Sequence, residues 1–310
     1  MSEFPVRKTA LFHVADGFSP FPGTELPFER MVMPLMTIAD GQLQGVGTGF
    51  MISDGLMITA VHVIAEGIKR GIKKTNADGS IEILLGFYAL YMSNQKYPES
   101  NECFGGLLPI HRVHSSENLD IAFCFLNRPI IDGKPLWFPI LPLSPGIPKV
   151  GEHLLGIGYH GMKGETVPQT GDSQPVIKYA ERTALTTGQI TQVYPEKRDM
   201  VMAPWPCFRT DARFEHGMSG GPIINERGGV CGVICSAMDG IQDSEGYISF
   251  GSLLWPALGT ELEVAFGVEA KPEKVSLYDL ILKGYVESDE TIANVDVVVE
   301  NSGKRTVHVR

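Results

Sequence analysis

Apolar residues in this chain fall in short blocks rather than long helical stripes, and turn-forming residues cut the blocks at close intervals. Runs of about four to eight apolar or alternating residues bounded by Gly, Pro, Asn and Asp read as strands. The first, 33–38, leads through Asp40-Gly41, a hairpin signal, into 46–52. Ser53-Asp54-Gly55 then turns the chain into 56–59, and 61–66 reads as a short helical turn. Residues 80–92 carry enough aliphatic and aromatic side chains for one or two strands, and 94–106 read as a polar loop. A loosely alternating strand over 107–114 and a short buried one over 120–126 follow. The prolines of 129–148 suit a link between two halves.

The second half begins near Val150. Residues 151–158 and 187–193 read as hairpin partners separated by a long loop, 159–186. Short apolar pieces at 201–202 and 208–211 lead to a glycine-rich loop, and 222–225 pairs with 230–236 across Glu226-Arg227-Gly228-Gly229. Residues 253–266 suggest a closing helix, weakened by Gly259. Leu277, Leu280 and Ile281 have helical spacing within 276–283, and 295–299 and 306–309 flank Asn301-Ser302-Gly303, another hairpin signal. Residues 1–30 read as an extension, with a strand over 7–14 before Pro20, Pro22 and Pro27. The pattern is all-β. It divides the chain into an N-terminal extension, 1–30, a body, 31–266, split near 130–150, and a C-terminal extension, 267–310.

Composition narrows the function. The 310 residues are 43% hydrophobic and include 35 Gly and 21 Pro, which suits a sizeable core in a turn-rich β fold. The formal net charge of −10 argues against sequence-independent nucleic-acid binding. The cluster Lys69, Arg70, Lys73, Lys74 reads as a solvated face. The five cysteines are too few and too uneven for a disulfide framework, and Cys124, Cys231 and Cys235 sit in apolar runs as small hydrophobes. Residues 1–5 open no signal peptide, and no apolar run reaches the length of about 18 that a membrane span needs. The expectation is no membrane span and a reducing, cytoplasmic setting.

The chemistry centres on Glu215-His216-Gly217-Met218-Ser219-Gly220-Gly221-Pro222. Gly217 and Gly220 allow the sharp backbone that would expose the Ser219 hydroxyl and leave amides free for a developing negative charge. A serine is a weak nucleophile without an adjacent base. His62, in a run of apolar residues, and Asp120, at the start of Asp120-Ile121-Ala122-Phe123, offer that base and its orienting carboxylate. Asp40, Asp54, Asp132 and Asp211 are rivals to Asp120, but none sits at such a strand entry. His111 and His114 form His-x-x-His without a Cys or Glu nearby to complete a metal set.

Thr59-Ala60-Val61-His62, Asp120-Ile121-Ala122 and Gly217-Met218-Ser219-Gly220-Gly221-Pro222, in that order, resemble the T-A-x-H, D-I-A and G-x-S-G-G-P motifs of the trypsin-like serine peptidases. The resemblance covers roughly residues 30–258. Thr210-Asp211-Ala212 and the spacing to Asn225, Gly228 and Gly232-Val233 are similar to the bacterial HtrA-like branch, although the short tail does not look like the PDZ domain common there. The family implies two packed six-stranded antiparallel β-barrels of the chymotrypsin type, here with a short N-terminal extension and a C-terminal helix plus β-hairpin. His62 and Asp120 would come from the first barrel and Ser219 from the second.

The resemblance further implies a serine endopeptidase. Ser219 would attack a peptide carbonyl, His62 move the proton, Asp120 orient His62, and the amides of Gly217 and Ser219 form the oxyanion hole. An acyl-enzyme would form on a protein or peptide substrate, with no metal and no cofactor. Ile234, Cys235 and Ser236 would form the strand with which the substrate backbone pairs, His216 would line the cleft, and His160 is a further candidate near the substrate. Arg213, six positions before Ser219, either faces the specificity pocket, favouring an acidic P1 side chain, or turns to solvent or to Glu215. Met218 stands where trypsin-type zymogens carry the Asp that pairs with a new N-terminus. Control would then come from a loop or a regulatory partner protein. Rival readings are the same fold acting as a partner-gated binding module, and an esterase.

Overall fold

The computed structural model describes residues 5–10, 13–14, 28–39, 42–69, 72–76, 80–96, 103–116, 118–127, 130–131, 134–167, 176–243, 246–265, 272–300 and 305–310. Six strands close the first barrel: β1 (Val32–Ala39), β2 (Gln42–Ser53), β3 (Leu56–Thr59), β4 (Phe87–Lys96), β5 (Cys103–Ser115) and β6 (Ala122–Leu126). They pair antiparallel in the order β2-β1-β4-β5-β6-β3, and β3 returns to β2. Six more close the second: β7 (His153–Val167), β8 (Val176–Tyr194), β9 (Cys207–Thr210), β10 (Pro222–Asn225), β11 (Val230–Asp243) and β12 (Gly246–Leu253). Their order is β7-β8-β9-β12-β11-β10, and β10 returns to β7. This is the chymotrypsin-like pair of antiparallel six-stranded barrels.

Closure removes most strand edges and turns one face of each sheet inward, so the alternating apolar residues meet at the barrel axes. Leu35, Phe50, Met51, Met57, Ile58, Phe87 and Phe123 are fully buried in the first core. Phe208, Phe214, Met218, Ile223, Ile234 and Leu253 fill the second. Each such side chain contributes about 1.5–3 kcal/mol relative to exposure. The barrels touch through β7 and β2, where Lys163 pairs with Gln44.

Several elements run differently from the pattern of the sequence. β7 and β8 continue as a long ribbon through most of the stretch that reads as the loop 159–186, with Tyr159 opposite Thr183 and Glu165 opposite Lys178. Lys163, Glu165, Lys178 and Glu181 interrupt the apolar alternation there, so the ribbon has no core-facing signature. β4 and β5 likewise reach to Lys96 and from Cys103 into the polar stretch 94–106. The closing helix shrinks to a 3-10 turn, Trp255–Gly259, followed by a strand, Glu261–Val264, that pairs with Glu273–Ser276. Pro256 and Gly259 explain the short helix. The Asp40-Gly41 and Asn301-Ser302-Gly303 turns and the prolines at 20, 22 and 27 lie outside the described residues, although Ala39 pairs with Gln42 on either side of the first turn.

The short helix α1 (Val61–Gly67) follows β3. In the tail, Ser276 caps a second helix, α2 (Leu277–Leu282), through a reciprocal capping box with Asp279. Leu277, Leu280, Val286 and Val295 join the buried cluster of the first barrel, so this part of the tail is packed as core. Arg227, on the β10–β11 turn, reaches Asp289 at 3.2 Å and Glu152 at 3.7 Å and ties the tail to the second barrel. The strand Pro5–Ala10 runs parallel to β8 from Val6 opposite Ile177. No helix among the described residues is long and apolar enough to cross a membrane.

Candidate active site

His62 is the second residue of α1, whose N-cap, Ala60, has no side chain able to cap. The first-turn amides of a helix have no intrahelical partner. Asp120 fills that role from across the barrel: the His62 amide donates to Asp120 Oδ1 at 3.1 Å. The other carboxylate oxygen, Oδ2, lies 2.8 Å from His62 Nδ1. A carboxylate accepts, so Nδ1 carries the proton and Nε2 keeps its lone pair. Asp120 sits in the β5–β6 connection, which turns through Asn118 at φ 56°. Its side chain is 5% exposed while the His62 side chain is 46% exposed, so the carboxylate is held dry and the ring faces open space.

The loop 215–221 carries Ser219. Gly217 at φ 97° and Gly220 at φ 85° lie where L side chains are strained. A Cβ on Gly220 would also stand 2.1 Å from Thr59 Oγ1 and 2.2 Å from the Thr48 carbonyl oxygen. Met218 donates its amide to the Glu215 carbonyl at 3.0 Å, Gly220 to Ile234 at 2.7 Å and Gly221 to Met218 at 2.9 Å. Among the described residues, the amides of Gly217 and Ser219 donate to no protein acceptor. Met218 itself is fully buried in the second core and anchors the loop.

The loop lies against the segment that bears His62. The Thr48 amide donates to the Ser219 carbonyl at 2.8 Å. A Cβ on Gly47 would stand 2.6 Å from both Val63 methyl carbons and 2.9 Å from the Ser219 oxygen. A Cβ on Gly220 would lie 3.0 Å from the Ala60 nitrogen. Residues 219–220 and 59–63, far apart in sequence, therefore lie close together where the barrels meet.

The flanking residues divide. Arg213 pairs with Glu215 at 2.7 Å and holds its guanidinium 5.5 Å from the centre of the Tyr247 ring. His216 is exposed. Ile234 is buried, its amide donates to Gly221 at 2.9 Å, and its carbonyl accepts from Gly220, so both backbone groups are occupied by the Ser219 loop. The Cys235 thiol donates to the Phe250 carbonyl at 3.2 Å. Ser236 pairs with Phe250 on β12, and beyond Val233 no described strand pairs with the other edge of β11. His160 lies beside the loop, its Cα 3.4 Å from where a Gly217 Cβ would stand. His111 and His114 lie on β5, and among the described residues no group of three or more His, Cys, Asp or Glu is placed to hold a metal ion. Burial and the adjacent Arg112 keep His111 below the usual histidine range.

Thr48 is the contact residue that sequence reading passes over. It is fully buried between Gly47 and Gly49 in an apolar strand. The signal available was its hydroxyl, because a buried hydroxyl in an apolar strand requires a partner.

The family profile described as "Trypsin-like peptidase domain" matches residues 47–233. No curated protein matches the chain. Two solved structures of Rv3671c are similar. One is the inactive form of a serine-to-alanine mutant from M. tuberculosis H37Rv, 18% identical, covering 78% of this chain and 91% of that chain with a TM-score of 0.41. The other, the inactive form of the Rv3671c protease, is 17% identical and covers 73% of this chain and 84% of that chain with a TM-score of 0.37.

Proposed function

The chain belongs to the trypsin-like peptidase family, and on that premise we propose that it is a serine endopeptidase. Ser219 Oγ attacks the scissile carbonyl and His62 Nε2 takes its proton. Asp120 fixes the His62 tautomer and stabilises the imidazolium without itself being protonated. The amides of Gly217 and Ser219 receive the oxyanion, and each such donor is worth roughly 3–4 kcal/mol of transition-state stabilisation. His62 then returns the proton to the leaving amine, and water resolves the acyl-enzyme by the same steps in reverse. The reaction so written uses no metal and no cofactor.

The observation that carries this reading is the double grip of Asp120 on His62, ring at 2.8 Å and amide at 3.1 Å. A merely structural aspartate at a helix start needs the amide alone. The edge of β11 beyond Val233, with which no described strand pairs, would give an extended substrate a place to add as a strand. Because Ile234 is committed to the loop, that pairing begins at Ser236 rather than at Ile234. Arg213 is paired with Glu215, so an acidic P1 residue would gain no bare guanidinium from it. With Met218 buried where an ion-pairing Asp would be needed, control falls to a loop or a regulatory partner protein.

The test is Ser219→Ala. It should lower kcat on a peptide library by about 10⁶, as loss of a triad nucleophile does elsewhere. A fluorophosphonate should label the parent at Ser219 and leave the variant unlabelled. Equal cleavage by parent and variant would end the proposal.

A further inference from the structure

Gly217 and Ser219, whose amides donate to no protein acceptor among the described residues, both have their carbonyls held by one residue of the other barrel. The Thr48 hydroxyl donates to the Gly217 carbonyl at 2.9 Å, and the Thr48 amide donates to the Ser219 carbonyl at 2.8 Å. The same hydroxyl accepts from the Tyr159 amide at 3.1 Å, which makes it a two-bond relay from β7 to Gly217. The Thr48 carbonyl accepts from Thr59 Oγ at 2.6 Å, three positions before His62. Its cross-strand neighbour is Pro34, which has no N–H to offer.

The hydroxyl is thus fully satisfied, with one donor and one acceptor used, in a residue with no exposed surface. The geometry points to Thr48 as a positioning residue for the oxyanion hole. Gly217 at φ 97° has a wide range of accessible backbone conformations, and nothing in its own side chain restricts them. The hydroxyl fixes the carbonyl on one side of Gly217, so the peptide plane carrying the free amide on the other side turns less freely. The Thr48 amide does the same for Ser219. The segment behind packs closely on Gly217, since a Cβ there would stand 2.8 Å from the Tyr159 carbonyl oxygen and 3.2 Å from Met162 Cε. Thr48 touches neither substrate nor reacting atoms, and its effect passes through Gly217. This inference rests on the serine-peptidase reading, and the experiment separates the two.

Thr48→Val keeps the shape and removes the hydroxyl, while Thr48→Ser keeps the hydroxyl and removes a methyl. Parent turnover and fluorophosphonate labelling of Ser219 test the peptidase reading first. With that in hand, T48V should lower kcat at least about tenfold, short of the full 10²–10³ for a deleted oxyanion donor. KM should stay within about twofold, since the hole binds the developing oxyanion much more strongly than the ground-state carbonyl. Affinity for a peptide boronate, which forms a tetrahedral anion on Ser219, should fall in step with kcat, while affinity for the cleaved product peptide stays unchanged. T48S should restore kcat to within about threefold of the parent. A merely structural role would lower both affinities together and leave kcat per folded molecule alone. If T48V does not fold, Thr48→Ala gives the same reading without a methyl facing the carbonyl. Parent-like kcat in a folded hydroxyl-free variant, or failure of T48S to rescue, overturns the assignment.

Discussion

Asp120→Asn tests the heart of the site by turning one acceptor oxygen into a donor and removing the charge, with almost no change of shape. The aspartate uses one oxygen for the His62 amide and the other for Nδ1. An asparagine has only one acceptor. If its oxygen takes the His62 amide, its NH₂ faces Nδ1, the ring proton moves to Nε2, and the base is blocked. If its oxygen takes Nδ1–H, its NH₂ faces the His62 amide and leaves a buried donor unmatched. That second arrangement costs about 1–3 kcal/mol. Losing the carboxylate also removes roughly 4 kcal/mol of attraction to the imidazolium, for charges about 4 Å apart at an effective dielectric of about 20. The two together come to about 5–7 kcal/mol, or a loss of roughly 10⁴ to 10⁵ in kcat at about 1.4 kcal/mol per tenfold. The size matches what the same exchange does in the best-studied triad. The assay is kcat on a peptide substrate at neutral pH, with thermal melting to show that the fold survives. An Asn variant within tenfold of the parent would refute the tautomer argument, because both orientations of the amide must then be harmless.

Two further changes probe the supports around this pair. Gly220→Ala adds roughly 1–2 kcal/mol of left-handed strain to a Cβ 2.2 Å from the Thr48 carbonyl oxygen, so melting should drop and Ser219 labelling disappear. Parent-like melting with full labelling would contradict the loop geometry. The second concerns acid. Burial pushes Asp289 upward, but hydrogen bonds from Thr291, Ser144 and Arg227 outweigh it and hold the group below the usual carboxylate range. Its folded pKa is thus lower than its unfolded one, so its contribution to stability is complete above the ordinary carboxylate range and is lost as pH falls toward the folded value. Amide exchange over 285–299 should speed up in acid in the parent and become less acid-sensitive in Asp289→Asn, and unchanged acid sensitivity would argue against the link.

Most barrel strands were legible because each is a local apolar run, whereas their closure into two barrels was implied only by the family resemblance. A strand such as Leu56–Thr59 is buried along its whole length and reads as an apolar run, and a glycine at positive φ is required on each side of Met218-Ser219 whatever lies around them. The β7–β8 ribbon was not legible, since charged residues such as Glu165 and Lys178, paired across it, break the apolar alternation by which a strand is read. The fate of Ile234 was hidden for another reason. Its buried apolar side chain suits any central strand, and only the register of β11 against the Ser219 loop reveals that its backbone is already committed. Arg213 had two open choices in sequence, and the structure places its guanidinium 2.7 Å from Glu215.

Thr48 shows why a site at a barrel junction is only half written in its motifs. Its partners are Tyr159, Gly217 and Ser219 from the second barrel and Thr59 from the first, so no window of sequence contains the cluster. Each of those bonds is worth only about 0.5–1.5 kcal/mol net. The cost of leaving the buried groups unmatched is larger, and it falls on whichever arrangement separates the barrels. The loop that carries Ser219 is therefore ordered by the same contacts that hold the two halves in register. If the amides of Gly217 and Ser219 do form the oxyanion hole proposed above, barrel docking and assembly of that hole rest on the same Thr48 contacts.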